Sequence, residues 1–336
     1  MKIWLPYICG GSGTDVFTHS LASTLKELNI EVEISEFSHN WQYFPWRLKN
    51  IKAPNGTDII LTNTWNGFAF KRKNIPLITI EHHCIFDPAY KVFRSPLQAI
   101  FHEGLVKYFE VESVKKADAV VTVSNYTANS VITALGVKEP HVIYNAIETD
   151  FFTPENNSQP KSQPIQLLFV GNLIYRKGVD LLPKIMEKLG DGFELRYTKG
   201  LRETLPFPET SNMIPLGRLT REELRQAYRD ADILLFPTRF EGFGYAVAES
   251  MSCSTPVVAS NCSSMPELID NDITGKLCPV DDINAFVEAI KELSKNKETL
   301  QQMGAAASKT INERFSFDQM GKQYIQLFEQ VIEQGK

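Results

Sequence analysis

DILLFPTRFEGFGYAVAESMSC occupies residues 232–253. Up to Thr238 it is a short apolar run with the length of a buried strand, and from Tyr245 it becomes a helix rich in small residues. Ala246, Ala248 and Ser250 are small enough to let that helix pack closely. The turn between strand and helix carries Glu241, Gly242, Phe243 and Gly244. Glycines there let the backbone approach a ligand, and the helix N-terminus behind them favours an anion such as a phosphate. Glu241 falls in the turn and Glu249 about one turn into the helix, so both could line one cleft. A carboxylate accepts two hydroxyl hydrogen bonds at once, which suits the vicinal diol of a ribose or another sugar. The plainer alternative is a loop charge at Glu241 and a surface helix charge at Glu249.

The same alternation runs outward in both directions. Downstream lie TPVVAS and INAFVEAIKELS. Upstream lie IQLLFVG, GVDLLPKIMEKL, FELRYT and TREELRQAYRDA, the last opened by a capping box of Thr220 with Glu223. The first half of the chain has its own apolar runs at Lys2–Ile8, Glu31–Glu36, Asp58–Thr62, Leu77–Glu81, Ala119–Val123 and His141–Tyr144, with a helix over Asp15–Leu28. Such β-α-β alternation predicts parallel sheets covered on both faces. At 153–164, TPENNSQPKSQP interrupts it and reads as a linker. A chain of 336 residues is too long for one ordinary core. The expected division is an N-terminal domain over 1–152, the linker 153–164, a C-terminal domain over 165–315, and an amphipathic helix over 316–336 that packs back on either domain. The fold class is α/β, with two open sheets in series around a central cleft, where ligands commonly bind.

A net charge of −5 argues against a general nucleic-acid binder. No apolar run approaches the roughly 18 residues of a spanning helix. MKIWLPYICGG is interrupted by Pro6 and Gly10 and reads as a first strand rather than a signal peptide. Cys9, Cys84, Cys253, Cys262 and Cys278 are odd in number and form no C-x-x-C pair, as in a reduced cytoplasmic chain. The histidines do not share ligand spacing with them, so no zinc site is expected.

Three further stretches carry candidate chemistry. Gly10, Gly11 and Gly13 follow the first strand and precede a helix. They read either as a ligand-approaching loop or as a tight turn, without the G-x-G-x-x-G dinucleotide spacing. His82 and His83 stand at the carboxyl end of an apolar strand, the end that faces ligand in open α/β sheets. Arg176 and Lys177 follow the strand IQLLFVG and precede a helix, a position suited to a diphosphate.

With these residues in place, the chain resembles the retaining GT-B-fold glycosyltransferases of family 4, the group 1 glycosyltransferases. Their E-x7-E pattern, with G-F-G after the first glutamate, is matched from Glu241 to Glu249. LGRLTREELRQAYRDADILLFPT before it and STPVVASNCSSMPELI after it follow the family's order. AVVTVSNYTANSVITALGV and VIYNAIETDFFTP resemble the family's inter-domain region. The resemblance implies two Rossmann-like domains and metal-independent transfer of a sugar, with retention, from a UDP- or GDP-linked donor to an acceptor hydroxyl. No cofactor is implied. The setting would be bacterial surface polysaccharide, lipopolysaccharide or glycolipid biosynthesis, with a glycan or lipid-linked acceptor.

In that reading Glu241 contacts donor-sugar hydroxyls, Glu249 the ribose, and Lys177 the departing diphosphate. Gly10 and Gly11 form the loop that approaches donor and acceptor. His82 aligns best with the family's active-site histidine, with His83 adjacent to it. Asn172, Arg176, Gly242, Phe243 and Gly244 fall on the donor side, and His83 and Ser124 on the acceptor side. The chain departs from the family at Asn172, where an arginine is usual, with Arg176 as the candidate replacement. It departs again at Tyr144–Ala146, in place of PNG, and at Ser263–Ser264, in place of a glycine-rich pair. Alternative functions are a nucleotide-sugar hydrolase or epimerase, or a catalytically weak sugar-nucleotide-binding scaffold.

Asp230-Ala-Asp232 has the letters of a metal-binding D-x-D but stands where a helix runs into a buried strand, so no metal is assigned to it. From 41 to 73 there are six basic residues against the single acid Asp58, interleaved with Trp41, Tyr43, Phe44 and Trp46. Aromatics beside cations suit an anionic membrane surface, placing the chain peripherally on the inner face of the cytoplasmic membrane. The alternative is core aromatics beside a solvated loop.

Overall fold

The computed structural model describes residues 1–10, 13–155, 164–200 and 210–334. Gly11 and most of the expected linker lie outside the described residues. The chain divides into two compact units, Met1–Ala146 with Phe317–Lys336, and Ile147–Ser316.

The first unit is built on the strands β1 (Lys2–Ile8), β2 (Glu31–Phe37), β3 (Ile59–Asn63), β4 (Leu77–Glu81), β5 (Ala119–Thr122) and β6 (His141–Val142). They form one sheet in the order β2-β1-β3-β4-β5-β6, with every pairing parallel. The apolar runs of β3, β4 and β5 are buried throughout, as a parallel sheet covered on both faces requires. The helix Gly13–Glu27 packs against the C-terminal helix Phe317–Gln334 at Gly321, where a Cβ would come within 2.5 Å of Leu28 and 2.8 Å of Thr24. A larger residue there would have to push the Leu28 and Thr24 side chains aside.

The second unit holds β7 (Ile165–Phe169), β8 (Phe193–Thr198), β9 (Met213–Gly217), β10 (Ile233–Phe236), β11 (Val257–Ser260) and β12 (Gly275–Cys278). They pair in parallel in the order β12-β11-β10-β7-β8-β9. The capping box at Thr220 and Glu223 opens the helix Arg221–Asp230.

Two sequence expectations need correction. The boundary falls at Ala146 rather than 152, because residues 147–153 are bonded into the second unit. The Ile147 N–H donates to Phe315, Ser252 Oγ donates to the Phe152 carbonyl, and Arg229 donates twice to Thr153. The basic aromatic segment 41–73 is also less free than its composition implies. Trp41 packs against Phe37 at the core, Lys71 pairs with Asp118, and the Arg72 guanidinium is spent on the carbonyls of Leu48, Ile51, Ala69 and Lys71. Tyr43, Phe44 and Trp46 remain exposed.

Candidate functional site

In the second sheet β7 has β8 on one side and β10 on the other, so the order reverses beside it. In open α/β sheets the crevice at the carboxyl ends of such strands is where ligands bind. The loops that leave β7 and β10 there carry Arg176 with Lys177, and Thr238 to Gly244. The two loops are stitched together: the Arg239 N–H and Thr238 Oγ1 both donate to the Arg176 carbonyl, at 2.9 and 3.3 Å. Gly178 makes this possible, with φ +70° and a hypothetical Cβ only 1.9 Å from the Pro237 oxygen.

Three groups converge on one oxygen of Glu241. Lys177 Nζ lies 2.6 Å from Oε1, Thr238 Oγ1 donates to it at 2.8 Å, and Arg176 Nη1 is 3.6 Å away. Lys177 also sits 4.9 Å above the Phe236 ring. Burial pushes the Glu241 carboxyl up, but Lys177 and Arg176 outweigh it and hold the group below the ordinary glutamate value. Burial pulls Lys177 below its ordinary value, against the pull of Glu241. Two cations on one carboxylate leave surplus positive charge at the crevice, which suits an anionic ligand.

The Glu241 turn is braced from the loop after β11. The Glu241 N–H donates to Ser263 Oγ at 2.9 Å, while Ser264 Oγ donates to the carbonyls of Phe243 and Glu241 at 2.8 and 3.3 Å. Arg239 braces the other side, paired bidentately with Asp180 at 2.7 and 2.8 Å and with Asp281 at 2.7 Å. Gly244 caps the helix Tyr245–Ser252 in a left-handed conformation. Within that helix Glu249 accepts from the Tyr228 hydroxyl at 2.8 Å, and burial raises its carboxyl to about 7 despite this bond.

In the first sheet the order reverses at β1, between β2 and β3. His82, just beyond β4, has Nε2 3.2 Å from Asn63 Oδ1 at the end of β3 and packs edge-on against Phe17, centroids 4.8 Å apart. Burial, with His83 adding to it, lowers its pKa to about 3, so the ring is neutral. His83 is exposed, with its ring 5.7 Å from Tyr90. Behind them lies buried Glu81, which accepts from Thr64 at 2.6 Å and from the His83 N–H at 3.2 Å. Burial raises Glu81 to about 7 and raises the neighbouring buried Glu110 well above its ordinary value.

Two family models match the chain: Glycosyltransferase Family 4 over residues 15–151 and Glycosyl transferases group 1 over residues 151–310. The chain belongs to the group 1, family 4 glycosyltransferases. A 41.2 kDa protein in the cps region of Klebsiella pneumoniae is 26% identical over 231 residues, covering 66% of this chain. The match spans 64% of that relative's own length. Sucrose-phosphate synthase from Thermosynechococcus elongatus has the same fold, with a TM-score of 0.82 at 17% identity over 98% of this chain and 99% of that one. Anabaena HepE in complex with UDP-glucose shares it at a TM-score of 0.73 and 16% identity, over 98% of this chain and 100% of that one. The two sheets are thus the GT-B fold of this family.

The structure brings three of the residues singled out in the sequence together: Arg176 and Lys177 meet Glu241, and Glu249 is held by Tyr228. Several expected members play other parts. The Phe243 side chain turns inward against Tyr245 and Phe315, so it offers a ligand no ring. Ser124 is fully buried and caps a helix, accepting from the Thr127 N–H and donating to the Thr127 hydroxyl, which removes it from any acceptor contact. The Gly10 N–H points to the Asp15 carboxylate at 3.1 and 3.3 Å rather than being held open for a ligand. Asn172 lies against Gly200, whose hypothetical Cβ would be 2.2 Å from Asn172 Oδ1. Asp232 accepts from the Gln166 N–H at 2.8 Å, so in the D-x-D letters it serves the strand. Thr238, Ser263, Ser264 and Tyr228 escaped the sequence reading as site residues. Ser263–Ser264 had shown only as a departure from the family pattern.

Proposed function

We propose that this chain transfers a glycosyl group, with retention, from a UDP- or GDP-linked sugar to a hydroxyl of a glycan or lipid-linked acceptor. The observation that carries this reading is the Arg176–Lys177–Glu241 cluster at the point where the strand order of the second sheet reverses. Lys177 and Arg176 receive the diphosphate and neutralise the charge that grows on it as the glycosidic bond breaks. Contacts to Glu241 converge on Oε1, which leaves Oε2 for a donor-sugar hydroxyl. Glu249 takes the ribose diol, and neutral His82 hydrogen-bonds a sugar hydroxyl without adding charge. Arg176, close to the same carboxylate as Lys177, supplies the second cation that Asn172 does not.

Glu241 is tied by an ion pair and Glu249 by a tyrosine, so neither is an unencumbered nucleophile for a double displacement. That favours same-face displacement, in which the leaving phosphate takes the acceptor proton, with no metal or cofactor called on. The Klebsiella relative from a cps region supports a role in surface polysaccharide or glycolipid synthesis. UDP in HepE supports a uridine-linked donor. The test is a nucleotide-sugar panel with and without lipid-linked acceptor extract. It follows nucleoside diphosphate release and, by NMR, the anomeric configuration of the product. Acceptor-dependent release with retention is the expected result. Release without acceptor would make the chain a hydrolase, and an inverted product would remove the same-face mechanism.

A further inference from the structure

Backbone pairing of β3 with β4 ends at Asn63 opposite Ile80, and that of β4 with β5 at Glu81 opposite Thr122. Beyond these points β3 turns into the tight helical segment Thr64–Ala69, and the chain leaves β4 through His82 and His83. Two side-chain rungs carry the pairing further. Thr64 Oγ1 donates to Glu81 Oε2 at 2.6 Å, and His82 Nε2 lies 3.2 Å from Asn63 Oδ1. The other Glu81 oxygen, Oε1, accepts from the His83 N–H at 3.2 Å. One carboxyl thus ties the end of β3 to the turn that carries both histidines.

Successive residues of a strand face opposite sides of its sheet. His82 faces the helix Gly13–Glu27 through Phe17. Glu81 lies on the other side, toward Glu110 of the helix Lys107–Lys116. Both carboxyls are buried, at 4 and 2% exposure. Burying a carboxyl is costly, and packing alone would favour an apolar side chain at 81, as at Leu77, Ile78 and Ile80 of the same strand. Such a side chain would leave the His83 N–H and the Thr64 hydroxyl without the acceptor they have here. What the carboxyl contributes is the geometry of the turn.

We propose that Glu81 is a positioning residue for glycosyl transfer: by holding the Thr64 hydroxyl and the His83 N–H it fixes the His82–His83 turn and so aims the His82 ring at the substrate. This rests on the reading that His82 meets a sugar hydroxyl. Glu81 acts from the opposite face of the sheet and touches no substrate itself.

The full chain is assayed with the nucleotide-sugar panel and lipid-linked acceptor extract. Glu81→Ala should lower kcat about tenfold or more and leave KM for the donor unchanged. Glu81→Gln should restore kcat, because its amide oxygen accepts from the His83 N–H and its amide nitrogen donates to Thr64 Oγ1. In Glu81→Ala with His82→Asn the loss should stay near the roughly hundredfold of His82→Asn alone, since a ring already removed has no aim to lose. By NMR, the His83 amide should exchange with solvent deuterium faster in Glu81→Ala than in the wild type, and at the wild-type rate in Glu81→Gln. If Glu81→Ala loses its folded circular dichroism spectrum, Glu81→Met carries the same expectations. Unchanged kcat in a folded variant lacking the carboxyl, equal losses in Glu81→Gln and Glu81→Ala, or losses that multiply with that of His82→Asn would overturn this proposal alone. A wild type without turnover, or His82→Asn at full turnover, would overturn the reading it rests on and the proposal with it.

Discussion

Lys177 Nζ lies 2.6 Å from Glu241 Oε1, although one follows β7 and the other β10, and both side chains are nearly closed off from solvent. Taking one partner from a buried pair leaves an uncompensated charge, at a cost of about 3–5 kcal/mol. Lys177→Met should therefore destabilise the fold, and it should also cut turnover about a hundredfold or more by removing a leaving-group contact. The double variant Lys177→Met with Glu241→Gln should regain stability in urea melts without regaining turnover. If activity returned together with stability, Lys177 would be structural only.

The loop that presents this pair depends on Gly178. Alanine there would place a Cβ 1.9 Å from a backbone oxygen, at φ +70°. The oxygen belongs to Pro237 and cannot rotate away as a flexible side chain would. A loss of about 3 kcal/mol or more is expected in denaturant unfolding, with nucleotide binding falling in the folded fraction, measured by calorimetry.

Glu249 makes stability depend on pH. Its folded value of about 7 stands above the unfolded value near 4.5. Its contribution is therefore whole below pH 4.5 and is lost as pH rises through about 7. Glu249→Gln imitates the protonated form and still accepts from Tyr228. Its melting temperature should equal that of the wild type near pH 4.5 and exceed it at pH 8, by an amount reflecting roughly 2–3 kcal/mol. A constant difference across that range would place the Glu249 pKa at its ordinary value. Glu249→Ala should also weaken binding of the bare nucleoside diphosphate, measured without any sugar attached.

The paired histidines should separate cleanly. His82 is wedged between Phe17 and Asn63 and is neutral throughout the physiological range, whereas His83 is exposed. His82→Asn should lower turnover by about a hundredfold, and His83→Asn by only a few-fold. The reverse order in steady-state assays would move the substrate contact to His83.

Much of this was legible in the chain itself. The strands Lys2–Ile8 and Leu77–Glu81 coincide with their apolar runs, because a strand covered on both faces needs an unbroken apolar stretch and little else has that length. The E-x7-E spacing, the Arg176–Lys177 pair and the His82–His83 position were readable for a related reason. Residues at the carboxyl ends of parallel strands are brought to the same edge by topology alone.

Contacts between segments distant in sequence were not legible. No local pattern announces that Ser263 and Ser264 brace the Glu241 turn or that Tyr228 holds Glu249. Nor does spacing tell Arg72, bonded to backbone carbonyls beneath Trp4, from Arg47, which stays exposed. The sequence alone determined most of the strands, though not the edge strands β9 and β12, together with which family the chain joins and which charges reach the sheet edge, since these follow from periodicity and spacing along the chain. The tertiary structure alone decided which charges pair, which aromatics stay outside and which carboxyls titrate near neutrality, since desolvation and ion pairing depend on what distant segments pack against each group.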